Sequence, residues 1–163
     1  MNSILALFGF IAAVFVAASM GAVFKPGAWY ERLAKPAWRP PNWLFAPVWT
    51  ALYLMMAVAA WIVWGTAGFA GAGLALGAWF VQLTLNLVWT PVFFGLRRPD
   101  LGFVVIDALW LAIAATIALF APVSLLAAAL LVPYLAWVTF AAALNLAIWR
   151  MNPDGGASVT PSA

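Results

Sequence analysis

The sequence predicts an all-α membrane protein, a single bundle of five transmembrane helices. Three observations carry that prediction. The chain is 68% hydrophobic and only 7% charged, whereas about 25% of the residues of a soluble domain carry charge. The apolar residues fall into five runs, each near the ~20 residues that span a bilayer. The charges gather in alternate connectors between those runs. The bundle is expected to occupy residues 1–151. The tail, residues 152–163, is rich in Gly, Ser and Pro and reads as disordered.

The first span covers residues 4–24. Met1–Ser3 carries no positive charge, and the run is longer than a signal-peptide core, so it reads as a retained helix. The second span covers about residues 42–64. Pro40 and Pro41 precede it; proline is tolerated in a first helical turn but not in a helix interior, so the span starts within a residue or two of Asn42. Pro47 is expected to loosen one backbone hydrogen bond and tilt this helix. Residues 65–73 are a glycine-rich turn, and the third span covers about residues 74–94. The fourth covers residues 101–120, Pro122 marks a turn, and the fifth covers about residues 123–149, long enough to tilt or project. No internal repeat is evident.

Lys25, Glu31, Arg32, Lys35 and Arg39 lie in the first connector, Arg97, Arg98 and Asp100 in the third, and Arg150 and Asp154 after the fifth span. With five spans these segments share one face, and the opposite connectors carry no charge. Excess Lys and Arg marks cytoplasmic loops, so that face is expected in the cytoplasm and the N-terminus outside, if the membrane is an inner one.

Cysteine and histidine are both absent. Disulfides and thiolate chemistry are thereby excluded, together with the usual general base, metal ligand and haem ligand. No triad, metal site or paired carboxylates support ordinary catalysis. No nucleic-acid partner is expected; the lipid bilayer is.

Depth organises the remaining polar and aromatic residues. At ~1.5 Å per helical residue, Trp49, Tyr53, Asn86, Trp89, Asp107, Trp137, Ala141 and Asn145 all fall roughly 8–20 Å from the basic face. Trp49 and Tyr53 are four apart, as are Gln82, Asn86 and Thr90, and Pro133, Trp137, Ala141, Asn145 and Trp149, so each set stacks along one helix side. Lipid cannot satisfy amides, so such stripes face protein or a cavity. Singly, each amide could be interhelical glue and each tryptophan packing. As a set at one depth they suit a flat, aromatic, weakly polar ligand. Trp61, Trp64 and Trp79, in the other half, read as interfacial anchors. Asp107 is the one acid within a span, and a hydrogen bond to Asn145 is expected if their helices adjoin. Gly73 and Gly77 form a GxxxG pair, the expected face of a homodimer. Trp38 and Trp43 sit at headgroup depth, as anchors or a pocket lid.

Three stretches, KPAWRPPNWLFAPVWTALY (residues 35–53), NLVWTPVFFGLRR (86–98) and LLVPYLAWVTFAAALNLAIWR (130–150), resemble the tryptophan-rich sensory protein family, also known as the translocator protein or peripheral benzodiazepine receptor family. The resemblance runs from about Phe24 to Arg150. It implies a five-helix bundle, often dimeric, that binds porphyrins and synthetic benzodiazepine-type ligands in a pocket closed by the first loop. Carried onto this chain, it implies ligand contacts at Tyr30, Trp49, Asn86, Trp89, Trp137 and Ala141, with Trp49 and Asn86 as polar contacts. Trp38 and Tyr53 join this set by position. Trp49 and Trp137 match tryptophans tied to light-dependent porphyrin breakdown in some members. The animal members' proposed cholesterol motif is incomplete, with Leu146 in place of its tyrosine, which argues against a cholesterol role and for a bacterial member. The charge bias reads as inner membrane, although some bacterial relatives are placed in the outer membrane. Porphyrin is expected as a ligand and not as a tightly bound cofactor: with no axial histidine, metal-free porphyrin should bind at least as well as haem. Sensing, transport and photochemical degradation all remain compatible with these residues.

Overall fold

The computed structural model describes residues 3–154, and among them the secondary structure is helical throughout. Helix α1 is Ser3–Val23, a short α2 is Ala28–Arg32, and a 3-10 turn at Asn42–Leu44 leads into α3, Phe45–Thr90. A π turn at Pro91–Gly95 follows, then α4, Pro99–Phe120, and α5, Leu125–Met151.

Helix α3 contains two of the expected spans. Its hydrogen-bond ladder runs on through the glycine-rich stretch, but Gly68 stands at φ 60°, ψ −175° and Ala72 at φ −124°, ψ 23°. The Gly68 conformation is essentially closed to residues with a Cβ, and it turns the chain back on itself. The two halves, residues 45–67 and 73–90, then lie side by side. Trp79 Nε1 donates to Met56 O (3.1 Å) and Tyr53 OH to Asn86 Oδ1 (2.7 Å). In a straight helix the latter pair would be about 50 Å apart. The connector expected as a plain turn is therefore a helical kink.

The hairpin is the centre of the fold. Helices α1, α4 and α5 all pack on it, and α4 also packs on α5. Small residues Ala57, Ala59 and Ala60 are fully buried and permit close helix approach. Trp79, expected at the membrane interface, is instead 0% exposed and meets Phe10 edge-on at 5.5 Å. Its indole N–H is satisfied by a backbone carbonyl of the facing half, which a depth count cannot reveal. Trp61, late in the first half of α3, ties that half to the start of α1 by donating to Ser3 O at 2.9 Å.

Local chemistry sets the ends. Pro47 lies in the first turn of α3, where backbone N–H groups lack intrahelical acceptors anyway, so the expected loss of a hydrogen bond and tilt has no cause. Pro91 begins the π turn, closed by Leu96 N to Pro91 O (2.9 Å). Ser124 caps α5, its hydroxyl accepting from Ala127 N. At 27 residues α5 is about 40 Å long, more than a ~30 Å hydrocarbon core.

The outer surface is apolar, with Phe15, Leu74 and Leu125 more than 70% exposed. Four helices, counting α3 as one, are long and apolar enough to cross a membrane. The chain is an integral multi-pass membrane protein. Its charged segments meet at one end. Asn152 donates to Ala34 O (2.9 Å) and accepts from Ala34 N (3.0 Å), which joins the end of α5 to the first connector. Asn152 is thus fixed, while residues 155–163 of the tail expected to be disordered lie outside the described residues.

Candidate ligand pocket

Below the charged end the helices enclose a cavity of about 420 Å³. Tyr30, Trp49, Tyr53, Asn86, Trp89, Trp137 and Ala141 all line it. Seven of the eight expected ligand contacts therefore converge on one space, though they come from α2, both halves of α3, and α5.

The first connector forms the roof. Tyr30 is carried inward by the short α2, which the sequence reading missed, and is buried against Phe93 and Phe94. Lys35 Nζ lies 4.7 Å from the Tyr30 ring centroid and donates to Glu31 O (3.0 Å) and Leu33 O (2.9 Å). Partial burial, aided by the nearby Arg39, holds the Lys35 ammonium below its ordinary pKa, while Glu31 pulls the other way. Trp38 lies outside the cavity lining; it is 53% exposed and reaches inward only as an edge contact on Phe140 at 5.7 Å.

The wall contains a polar relay. Tyr53 OH donates to Asn86 Oδ1 (2.7 Å), and Asn86 Nδ2 donates to Tyr134 OH (2.9 Å). Asn86 is therefore half committed to the protein, with one lone pair and one N–H left to offer. Trp49 packs on Tyr53 at 5.5 Å and meets Tyr134 edge-on, and its indole N–H has no partner among the described residues. Trp137 lies between Phe45 and Phe140, its Nε1 buried and without a partner among the described residues. Trp89 differs: its Nε1 donates to Asn145 Oδ1 (3.2 Å) and its ring stacks on Phe93 at 5.1 Å, so it presents a face and not a donor.

Asn145 does not bond Asp107. Its amide donates to Pro99 O (2.7 Å), linking α5 to the start of α4 and fixing Trp89. Gly102 makes the room: a Cβ there would come within 3.0 Å of both Asn145 Oδ1 and the Phe93 ring. Asp107 lies on the exposed side of α4, since depth along a helix says nothing about rotation around it. The same geometry splits the α5 stripe. Steps of four residues drift about 40° each, so Trp137, Ala141 and Asn145 face inward while Pro133 and Trp149 are exposed. Gln82 stays buried between the α3 halves, its amide near Met56 Sδ at 3.8 Å, outside the cavity.

Phe45, Phe93 and Phe94 also line the cavity and were not among the expected ligand contacts, and α1 and α4 add Gly21, Ile106 and Leu109. Phe93 and Phe94 ride on the π turn, whose extra residue per turn aims them differently from an α-helical continuation. The only available signal was Pro91 beside a double phenylalanine.

Gly73 and Gly77 face outward, and a Cβ at either would meet nothing within 4 Å. They do not mediate close packing inside the chain.

The TspO/MBR family model matches residues 6–150. Protein CrtK of Rhodobacter capsulatus is 49% identical over 140 residues, covering 84% of this chain and 86% of its own length. A tryptophan-rich sensory protein of Cereibacter sphaeroides is 44% identical over 153 residues, covering 93% and 95%. The human translocator protein is 41% identical over 151 residues, covering 88% of each. With the match spanning every described helix and the whole cavity lining, this chain belongs to the TspO/MBR family.

Proposed function

We propose that this chain is a five-span receptor or carrier that binds porphyrins and related flat aromatic ligands, benzodiazepine-type compounds among them, in the 420 Å³ cavity. The observation that supports it most is the pairing of flat aromatic walls with an unspent donor: the Trp49 N–H has no partner among the described residues, and Asn86 keeps one donor and one acceptor site. A cavity of this size with few convergent polar groups matches small-molecule sites generally. The five crossings follow from reading the two halves of α3 as separate spans. The basic end is then cytoplasmic in an inner membrane, and the bacterial relatives favour a bacterial setting. The outward Gly73–Gly77 face fits a homodimer contact. Sensing and transport are equally served by one closed-roof pocket, and liposome flux of porphyrin separates them. The test of binding is quenching of tryptophan fluorescence by protoporphyrin. Micromolar affinity is expected, weakened when Trp49 and Trp137 are both changed to Phe. Unchanged affinity in that double variant would remove the pocket assignment.

A second reading, light-dependent porphyrin degradation, is favoured by Trp49 and Trp137 lining the same cavity, where a photoexcited porphyrin and dioxygen could reach them. Bleaching under illumination at equal rates in the wild type and the Trp49→Phe/Trp137→Phe variant would dismiss it.

A further inference from the structure

A second cavity, of about 180 Å³, lies at the charged end beside the aromatic one. Its lining carries three cations, Lys25 before α2, Arg32 at the end of α2 and Arg97 after the π turn. Among the described residues none of them is in an ion pair, the one such pair being Arg98 with Asp100. Like charges gathered in one concavity repel each other and favour an anion there.

Arg97 adds an independent observation. It stands at φ 55°, in the left-handed region, the one non-glycine residue to do so among the described residues. Glycine or asparagine meets such a position after a helix with least strain. The chain instead uses arginine there, at a position that lines the basic cavity.

The two cavities share a wall. Phe94 lines both, and residues 24–27 alternate between them, with Phe24 and Pro26 lining the aromatic cavity and Lys25 and Gly27 the basic one. The edge of a flat ligand in the aromatic cavity therefore lies beside the cations, with the shared residue Phe94 between the two spaces. We propose that Lys25, Arg32 and Arg97 form an acid-binding subsite that takes an ionised carboxylate carried by the aromatic ligand, reached past Phe94. Guanidinium groups match a carboxylate with paired N–H donors, and the lysine adds a point charge. The subsite makes the pocket selective for flat aromatic acids over their neutral analogues. It rests on the aromatic cavity being the ligand pocket.

The test uses the full chain in nanodiscs of zwitterionic lipid. Dissociation constants are measured by tryptophan quenching for protoporphyrin, a dicarboxylic acid, and for its neutral dimethyl ester. The acid is expected to bind the wild type about three- to tenfold more tightly, the range for exposed charge pairs, with the advantage shrinking as ionic strength rises. In the variant Lys25→Gln/Arg32→Gln/Arg97→Asn the acid should fall to the affinity of the ester. Asparagine tolerates the left-handed region, so the turn is kept. Equal binding of acid and ester by the wild type overturns the proposal, as does an advantage that survives the triple substitution or ignores salt. An equal loss for both ligands in the variant marks the cations as structural and overturns it too. If neither ligand binds the wild type, the pocket reading itself fails.

Discussion

The Tyr53–Asn86–Tyr134 relay can be tested by asking which of its members leaves an orphan. Tyr134 is 0% exposed, and among the described residues its hydroxyl is met only by Asn86 Nδ2 at 2.9 Å. Tyr134→Phe deletes that hydroxyl and keeps the ring, and Asn86, which borders the cavity, can turn its freed N–H to water. The cost should be near that of one interhelical hydrogen bond, about 0.6–1.5 kcal/mol. Asn86→Ala removes both bonds. Tyr53 borders the cavity and can recover a water partner, but the Tyr134 hydroxyl is stranded in the core, at a further ~1–3 kcal/mol. The double variant Asn86→Ala/Tyr134→Phe removes the orphan, so it should be no less stable than Asn86→Ala alone, and the cycle should show coupling of about 1–2 kcal/mol. Reversible unfolding in mixed detergent micelles, followed by circular dichroism, measures all four proteins. Strict additivity, or a Tyr134→Phe variant as unstable as Asn86→Ala, would refute the relay.

Other outcomes follow from the same geometry. Gly68→Ala should destabilise the hairpin by about 1–3 kcal/mol in the same unfolding assay, although its Cβ meets nothing within 4 Å, because the cost is in the backbone; helical Gly65→Ala, equally unobstructed, should be neutral or stabilising. Gly77→Leu should leave the thermal stability of detergent-solubilised monomer unchanged and abolish any dimer seen by cross-linking in membranes; a dimer that persists removes the GxxxG face. Asn152→Ala should release the first connector from α5, seen as faster hydrogen exchange across residues 25–41 and faster porphyrin dissociation; unaltered exchange would show that the roof is held by Tyr30 and Leu33 alone. Trp38→Phe should leave porphyrin affinity unaltered, since Trp38 lies outside the cavity lining, whereas Trp49→Phe should lower it about tenfold, as for loss of one buried hydrogen bond.

The sequence by itself determined the membrane class, the all-helical character, the gathering of charge at one end, and the shared distance of the cavity-lining residues from that end. These are one-dimensional properties. Bilayer thickness converts a run of apolar residues into a span, and the fixed rise of a helix converts sequence distance into depth. Trp49, Asn86 and Trp137 could therefore be grouped at one depth before any contact was known. Rotation about each helix and the partner across the interface were decided only by tertiary structure. Trp79 and Trp137 look alike in sequence, yet one is satisfied by a backbone carbonyl in the core and the other keeps an unpaired N–H at the cavity. Asp107 and Asn145 share a depth and face different ways. The stretch from Lys35 to Tyr53 divides likewise: Trp38 stays outside and Trp49 becomes a wall, because the 3-10 turn at Asn42–Leu44 and the first turns of α3 rotate the second inward. Side-chain direction depends on helix phase, and phase is set by how neighbouring helices pack, which no single stretch of sequence contains.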